Sequence, residues 1–220
     1  MLEGSDTSYA KFARWSPVWP LEENKLVLEF NTDQPDGLIL YCDDGGTKEF
    51  LVLKLVEGTL RLRYNLGDSG TQMMTVGRHL NDGLWHRAEI RVRDENSKVS
   101  LTVDGFVTQV RELRYSVELR SPGYHVFIGG IPSVYNNMLN SLTLPSVAFE
   151  PRFRGAIRNL VYRSEDSVIK PQEIVEYKVS KKIIFGCDNK TAGTNLYDNI
   201  TFTACGVPTF PLISNGIFSL

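Results

Sequence analysis

Cysteine, histidine and net charge are all scarce in this sequence. Its 220 residues include only 3 Cys and 3 His, and 24 basic against 26 acidic side chains leave a formal charge of −2. So few cysteines exclude a disulfide-dense scaffold, and a near-neutral chain is not held to nucleic acid by bulk charge. No apolar run approaches the roughly 18 residues of a membrane-spanning helix. Nucleic acid partners and direct membrane insertion are therefore not expected.

Alternation of apolar and polar residues is the dominant pattern, and it predicts antiparallel β-strands. Short turns such as Asp36-Gly37, Glu57-Gly58 and Asp104-Gly105 separate the alternating segments, as in hairpins that bury one face. With 42% hydrophobic residues, the chain is long enough to bury a full core. Strands at about ten-residue spacing predict an all-β sandwich. The positions predicted to face its interior include Leu26, Leu28 and Phe30; Leu38, Leu40 and Cys42; Leu51, Leu53 and Leu55; Leu60, Leu62 and Tyr64; and His86, Ala88, Ile90 and Val92.

Three segments depart from this alternation. Residues 132–150, rich in Asn, Ser, Pro and Leu, predict a long loop, and loops of that length are usually functional or flexible. Pro171 is suited to opening one short helix. After Gly186 the composition becomes polar. We therefore predict one domain over residues 8–186, followed by a C-terminal extension or linker over residues 187–220.

Motifs for catalysis are missing from the sequence. The three histidines are far apart, and no phosphate loop, nucleophile elbow or H-x-x-x-H pair occurs. A glycosidase on this sandwich would need two carboxylates on one inward strand face. Glu29 and Glu89 instead stand among Lys and Arg on polar faces. We predict that the protein is not an enzyme and that His86 is a satisfied core or rim histidine.

Features of the C-terminal segment point to an extracellular protein. Asn189-Lys190-Thr191 and Asn199-Ile200-Thr201 are glycosylation acceptor patterns, so Asn189 and Asn199 are candidate glycosylation sites. A disulfide between Cys187 and Cys205 would close a modest loop and contribute up to about 3 kcal/mol. With three cysteines in the chain, that disulfide would leave Cys42 without a partner, most simply as a buried thiol. Residues 1–6 lack the pattern of a signal peptide, but an excised ectodomain would begin in the same way.

An ordered set of motifs resembles the laminin G, or LNS, domain over roughly residues 8–186. The N-terminal residues and the segments at 41–46 and 142–144 are most similar to the first LNS domain of the alpha-neurexins. The motifs that carry the resemblance are Asp36-Gly37-Leu38-Ile39-Leu40-Tyr41, Asn81-Asp82-Gly83-Leu84-Trp85-His86, Val103-Asp104-Gly105, Phe127-Ile128-Gly129-Gly130-Ile131-Pro132 and Phe153-Arg154-Gly155-Ala156-Ile157-Arg158-Asn159-Leu160.

The resemblance implies a jelly-roll (concanavalin-like) sandwich of about fourteen antiparallel strands in two sheets. It implies a noncatalytic, protein-binding module of a neurexin-like cell-adhesion receptor, extracellular and presynaptic, that binds other cell-surface or extracellular proteins through loops at one rim. In this family a calcium ion often assists at that rim. Carried over by position, its ligands are the Glu49 carboxylate, the carbonyls of Leu66 and Leu119, and Ser121. Independently of the resemblance, Asp68 lies two residues beyond Leu66 and would supply a second carboxylate if the Gly67–Gly70 loop folds inward.

Departures from the family pattern modify these expectations. Glu49 stands where the family usually has Asp, and Ser121 stands where it has Asn, so the resemblance implies weak calcium binding. The alternative is that Glu49 is only a solvated strand-end acid. Ala156 occupies the place of a cysteine that the family pairs near the domain end. The resemblance therefore makes Cys205 the substitute partner of Cys187.

Basic and aromatic residues suggest an alternative function. Because alternate residues of a strand share a face, Arg61, Arg63, Arg91 and Arg93 would suit a basic stripe for glycosaminoglycan chains. The simpler interpretation is a solvated sheet face with the acidic neighbours Glu89 and Asp94. Trp85, at a strand start, is predicted to be a core plug rather than a carbohydrate platform.

Overall fold

The computed structural model describes residues 2–5, 8–12, 23–46, 48–66, 70–93, 98–112, 125–164 and 167–169. Several predictions concern residues outside these ranges: the calcium ligands Asp68, Leu119 and Ser121, the Cys187–Cys205 disulfide, the sequons at Asn189 and Asn199, and the helix at Pro171. The limits of the domain at residues 8 and 186 also stay predictions.

Thirteen strands in these ranges form two sheets whose neighbouring strands are all antiparallel. The seven-stranded sheet has the order β1-β12-β3-β8-β9-β10, with β13 paired to β12, and the six-stranded sheet has the order β2-β11-β4-β5-β6-β7. The predicted all-β antiparallel sandwich is confirmed. Its strands are β1 (Leu2–Glu3), β2 (Ala10–Phe12), β3 (Glu23–Asn31), β4 (Gly37–Asp43), β5 (Phe50–Val56), β6 (Thr59–Asn65), β7 (Gln72–Val76), β8 (Trp85–Arg93), β9 (Lys98–Val103), β10 (Val107–Glu112), β11 (His125–Ile128), β12 (Arg154–Ser164) and β13 (Ser167–Ile169).

The main core lies between the two sheets, and the predicted alternation builds it. Every second residue of β3, β5, β6, β8 and β9 is buried in one apolar cluster, because side chains alternate between the faces of a strand. Phe30 is fully buried there, and its ring meets Phe153 edge-on at 6.5 Å. Among the described residues, no helix is long or apolar enough to span a bilayer.

A second apolar layer covers the outer face of the six-stranded sheet. It is built by residues 131–150, which we call the covering segment. This segment contains three 3₁₀ helices, η1 (Ser133–Asn137), η2 (Leu139–Ser141) and η3 (Pro145–Phe149), so the predicted long loop is in fact a compact, packed element. The buried side chains of this second core are Leu38, Tyr41, Phe50, Val52, Phe127, Ile131, Tyr135, Leu142, Val147 and Ala148.

A β-bulge in β4 corrects one sequence-based expectation. Leu38, Leu40 and Cys42 were predicted to share one face, but the register with β5 shifts between Leu38 and Leu40. The extra residue reverses the alternation, so Leu38 faces the covering segment while Leu40 and Cys42 stay in the main core. All seven residues of β4 are buried, because the main core covers one face of the strand and the covering segment covers the other.

Candidate functional site

The rim predicted to bind partners lies at the turn of the β4–β5 hairpin and at the adjoining end of β6. Phe50 pairs with Asn65 at the end of the β5–β6 ladder. Glu49 and Leu66 are the next residues on each side, so the register brings these two predicted calcium ligands to the same place. Glu49 is only 7% exposed, which makes the alternative of a solvated strand-end acid wrong.

Asp43 is an organising residue of this rim that sequence reasoning missed. Its carboxylate is fully buried and accepts hydrogen bonds from the Tyr41 hydroxyl (2.6 Å), the Thr143 backbone N–H (3.0 Å) and the Gly45 backbone N–H (3.2 Å). Burial, reinforced by the adjacent Asp43 charge, raises the pKa of Tyr41 well above its ordinary value. Tyr41 thus stays a neutral donor and ties β4 to the covering segment.

Asp44 shapes the turn that presents Glu49. Its Oδ2 accepts the backbone N–H groups of Lys48 at 2.9 Å and Glu49 at 3.0 Å, and its Oδ1 accepts the Thr143 hydroxyl at 2.6 Å. The segment Tyr41-Cys42-Asp43-Asp44-Gly45-Gly46 had carried part of the family resemblance. In the sequence, the only sign that Asp43 and Asp44 organise the turn was an acidic pair directly before two glycines.

Asn65 adds an oxygen to the same end of the hairpin. Its Nδ2 donates to the Lys48 carbonyl at 3.1 Å, while its Oδ1 is buried without a hydrogen-bond partner in the described part of the chain. Buried amide oxygens normally have a hydrogen-bond partner, so Asn65 Oδ1 is available to a ligand such as a metal ion or a water molecule. No cluster of three or more His, Cys, Asp or Glu side chains suited to a metal occurs among the described residues.

Cys42 lies below this rim in the main core and is a free thiol, as predicted. Burial raises the pKa of the Cys42 thiol well above its ordinary value. A buried thiol that remains protonated is a poor nucleophile and a poor metal ligand. Cys42 therefore serves packing.

His86 lies at the opposite rim, where it joins two turns. Its Nδ1 is 2.9 Å from Oδ2 of Asp104, and its Nε2 is 3.0 Å from Oδ1 of Asp82. Only the protonated imidazole has N–H groups on both nitrogens, so only that form donates to both carboxylates. The prediction of a satisfied rim histidine is confirmed.

We expect the contribution of His86 to stability to depend on pH. Burial alone would lower its pKa, but the hydrogen bonds to Asp104 and Asp82 outweigh that effect and raise the pKa above 6.5. The stabilisation is therefore complete below the unfolded-state value of about 6.5 and is lost as pH rises through the higher folded-state value.

The test is urea unfolding of wild type and His86→Gln at about pH 5.5 and about pH 8.5. The wild type should exceed the variant by roughly 1 kcal/mol more at the lower pH, as suits a partly exposed ion pair. His79→Gln, at an exposed histidine of the same rim, is the control. Equal differences at both pH values would contradict a protonated His86.

The predicted basic stripe is wrong, because its arginines belong to different sheets. Arg61 and Arg63 lie on β6 of the six-stranded sheet, whereas Arg91 lies on β8 of the other sheet and pairs with Glu89. The four residues therefore cannot line one surface.

The prediction of a core plug at Trp85 is also wrong. Its side chain is 37% exposed on the face of β8 opposite to His86, and the Arg158 guanidinium stacks 3.9 Å from its ring centroid. Arg158 in turn donates to Glu29 at 2.7 Å. Trp85 is thus held on the outer face of the seven-stranded sheet.

Comparisons with known proteins agree with this architecture. Mouse laminin alpha1 domains LG4-5 superpose with a TM-score of 0.60 at 19% identity, covering 78% of this chain and 43% of that one. The LG1-3 region of the laminin alpha2 chain gives a TM-score of 0.55 at 15% identity, covering 73% of this chain and 31% of that one. At these identities the likeness shows the fold.

Sequence relatives add the family. Neurexin 1 of Drosophila melanogaster is 46% identical over 192 residues, which cover 86% of this chain and 10% of that protein. Human Neurexin-2 is 35% identical over 159 residues, which cover 71% of this chain and 9% of that protein. This chain thus spans about a tenth of the length of these relatives. The sequence model of the Laminin G domain matches residues 30–165. The chain therefore belongs to the laminin G domain family, and its similarity within that family is to neurexins.

Proposed function

We propose that this chain is a noncatalytic, extracellular protein-binding module of a neurexin-like cell-adhesion receptor, which meets its partner at the rim formed by residues 43–50 and 65–66. The observation that carries the proposal is the buried Glu49 beside Leu66, held in place by Asp44. A rim fixed by buried hydrogen bonds loses little conformational entropy when a partner binds.

Chemistry in the interior of the sandwich supports a binding role rather than catalysis. Within the described residues, the buried carboxylates are Asp43 and Glu49, and both belong to the rim. A retaining or inverting glycosidase would need two acids flanking a cleft.

Calcium is the group that the family implies at this rim, and the described residues fit it. Calcium takes six to eight oxygen ligands. The Glu49 carboxylate, the Leu66 carbonyl and the unpaired Asn65 Oδ1 are oxygens at one end of the hairpin. Leu119 and Ser121 would supply further oxygens. A bound calcium would add positive charge to the rim, and a single carboxylate makes weak affinity the expectation, at roughly 10⁻⁴–10⁻³ M.

The setting we propose is the surface of a cell, with a presynaptic location by similarity to neurexins. Glycosylation at Asn189 and Asn199 and a Cys187–Cys205 disulfide belong to the same proposal, since both modifications are made on secreted proteins. Glycosaminoglycan binding is the weaker candidate, because the arginines that suggested it are divided between two sheets.

The test compares wild type with Glu49→Ala by calorimetry in millimolar calcium and by capture of cell-surface proteins with calcium or with a chelator. We expect weak calcium heat and calcium-dependent capture in the wild type, and loss of both in Glu49→Ala. Glu57→Ala is the matched control, because Glu57 is exposed at the other end of β5. Binding tighter than micromolar, or heat that persists in Glu49→Ala, would place calcium elsewhere. Rim binding would be refuted if the amount of cell-surface protein captured were the same for wild type and Glu49→Ala and the same with calcium and with chelator.

A further inference from the structure

The covering segment carries almost no charge, since Glu150 at its end is its one charged residue. Residues 131–149 contain no Asp, Glu, Lys, Arg or His, although 23% of the whole chain is Asp, Glu, Lys or Arg. Average composition would place about four such residues in a stretch of this length. The outward side of this segment is therefore a neutral surface on an otherwise charged domain.

Large apolar side chains are exposed on this surface. Val134 is 57% exposed, Met138 is 51% exposed and Phe149 is 67% exposed. Apolar exposure on a compact element that could have carried charged residues is a common mark of a contact surface. The inward side of the same segment is packed, with Tyr135 and Val147 buried against the sheet.

An open pocket of about 390 Å³ lies within this surface, a size at the lower end of ligand-binding pockets. Three asparagine amides lie around it, and none hydrogen-bonds to another group in the described part of the chain. The Ser141 hydroxyl donates to the Met138 carbonyl at 2.6 Å. The pocket lining is Asn136, Asn137, Met138, Leu139, Asn140 and Ser141.

Backbone hydrogen bonds order the turns that carry the pocket. Backbone hydrogen bonds from Met138 to Tyr135 (2.9 Å) and from Ser141 to Met138 (3.0 Å) close successive 3₁₀ turns. Just beyond the pocket, the Thr143 N–H is fixed by the buried Asp43 carboxylate. The backbone that carries the amides is therefore ordered, which reduces the conformational entropy lost when a ligand binds.

We propose that this pocket binds a neutral carbohydrate. An amide side chain both donates and accepts, so it matches the paired hydroxyl groups of a sugar ring. Met138 and Leu139 offer apolar surface to the ring's C–H face. A sulfated or carboxylated sugar would lose hydration here without gaining an ion pair. The pocket adjoins the rim, where Gly46 packs against Asn140 and Ser141. None of the lining residues is a proposed calcium ligand, so sugar binding is a second function and we expect it to persist without calcium.

The test uses lactose, N-acetyllactosamine and mannobiose as neutral probes, with sialyllactose and a heparin oligosaccharide as charged comparators. Amide chemical-shift changes in ¹⁵N-labelled protein report where each probe binds. We expect at least one neutral probe to bind at millimolar affinity, with shifts centred on residues 136–141, in calcium or in chelator. Asn136→Ala with Asn140→Ala should weaken that binding about tenfold, because two hydrogen-bonding amides are lost.

Two further variants keep the result decisive. Gln34→Ala removes an amide at the other end of the molecule and should leave binding unchanged. Met138→Lys adds charge to the pocket and should abolish binding of the neutral probes while the unfolding midpoint stays the same. The proposal is overturned if no neutral probe binds, if the double Asn variant binds as wild type does, or if the heparin oligosaccharide binds these residues more tightly. Loss of calcium binding in Glu49→Ala should leave the sugar-induced shifts intact, so failure of the rim proposal is distinguishable.

Discussion

Gly155→Ala is expected to destabilise the domain by about 3 kcal/mol or more, through steric strain between β12 and β3. Gly155 has φ +147°, which disfavours any residue with a Cβ. A Cβ built there would lie 2.2 Å from the Asn31 backbone oxygen. That oxygen belongs to β3, the strand paired with β12, so it cannot retreat without opening the pairing that joins them.

Urea unfolding and thermal melting measure this effect, and the melting temperature should fall by roughly 10 °C. Gly83→Ala is the matched control, because Gly83 also has positive φ (77°) but nothing lies within 4 Å of its added Cβ. It should lose only about 1 kcal/mol from backbone strain. Similar losses at the two glycines would show that the contact with Asn31 is not the cause.

Asp43→Ala is expected to have an effect of similar size, about 3 kcal/mol, and to release the covering segment. Removal of the carboxylate leaves the buried Tyr41 hydroxyl without its acceptor, and it also removes the acceptor of the Thr143 and Gly45 N–H groups. Orphaned buried donors carry their full desolvation penalty, which is why the expected loss exceeds that of an ordinary hydrogen bond.

Two measurements separate release of the segment from general destabilisation. Limited proteolysis of folded Asp43→Ala should produce new cleavage within residues 131–150, and hydrogen bonding at Thr143 should be lost first. The control is Asp36→Ala, which removes an exposed carboxylate that accepts only the Glu57 N–H at 3.0 Å. Unfolding of Asp43→Ala in one step, with protease resistance unchanged until the whole domain melts, would contradict this role.

Strands with only one face in the main core were predictable, because an apolar side chain on such a strand faces the core and a polar one faces the solvent. Leu60, Leu62 and Tyr64 alternate with polar neighbours, and β6 follows that alternation. The bulge between Leu38 and Leu40 was not predictable. Leu38, Ile39 and Leu40 are all apolar, and both faces of β4 are buried, so each of these residues could lie on either face. A strand covered on both sides loses the period-two signal that fixes its register.

Features that depend on contacts between distant parts of the chain could not be predicted from the sequence either. The covering segment shows no regular alternation of apolar and polar residues, and its packing depends on Tyr41 and Phe127, far away in sequence. The basic stripe failed for the same reason, because local alternation does not say which sheet a strand enters. At the rim, the resemblance to laminin G domains identified Glu49 and Leu66. It did not identify Asp44, whose role is visible only once the turn is folded.

The covering segment has a consequence for how such domains diverge. Its inner side chains belong to the second core, whereas Val134, Met138 and Phe149 are largely exposed and are not members of either core. Replacements at Val134, Met138 or Phe149 alter the surface while the sandwich beneath keeps its stability. Paralogues of one fold can therefore acquire different ligands on this layer without first passing through a less stable ancestor.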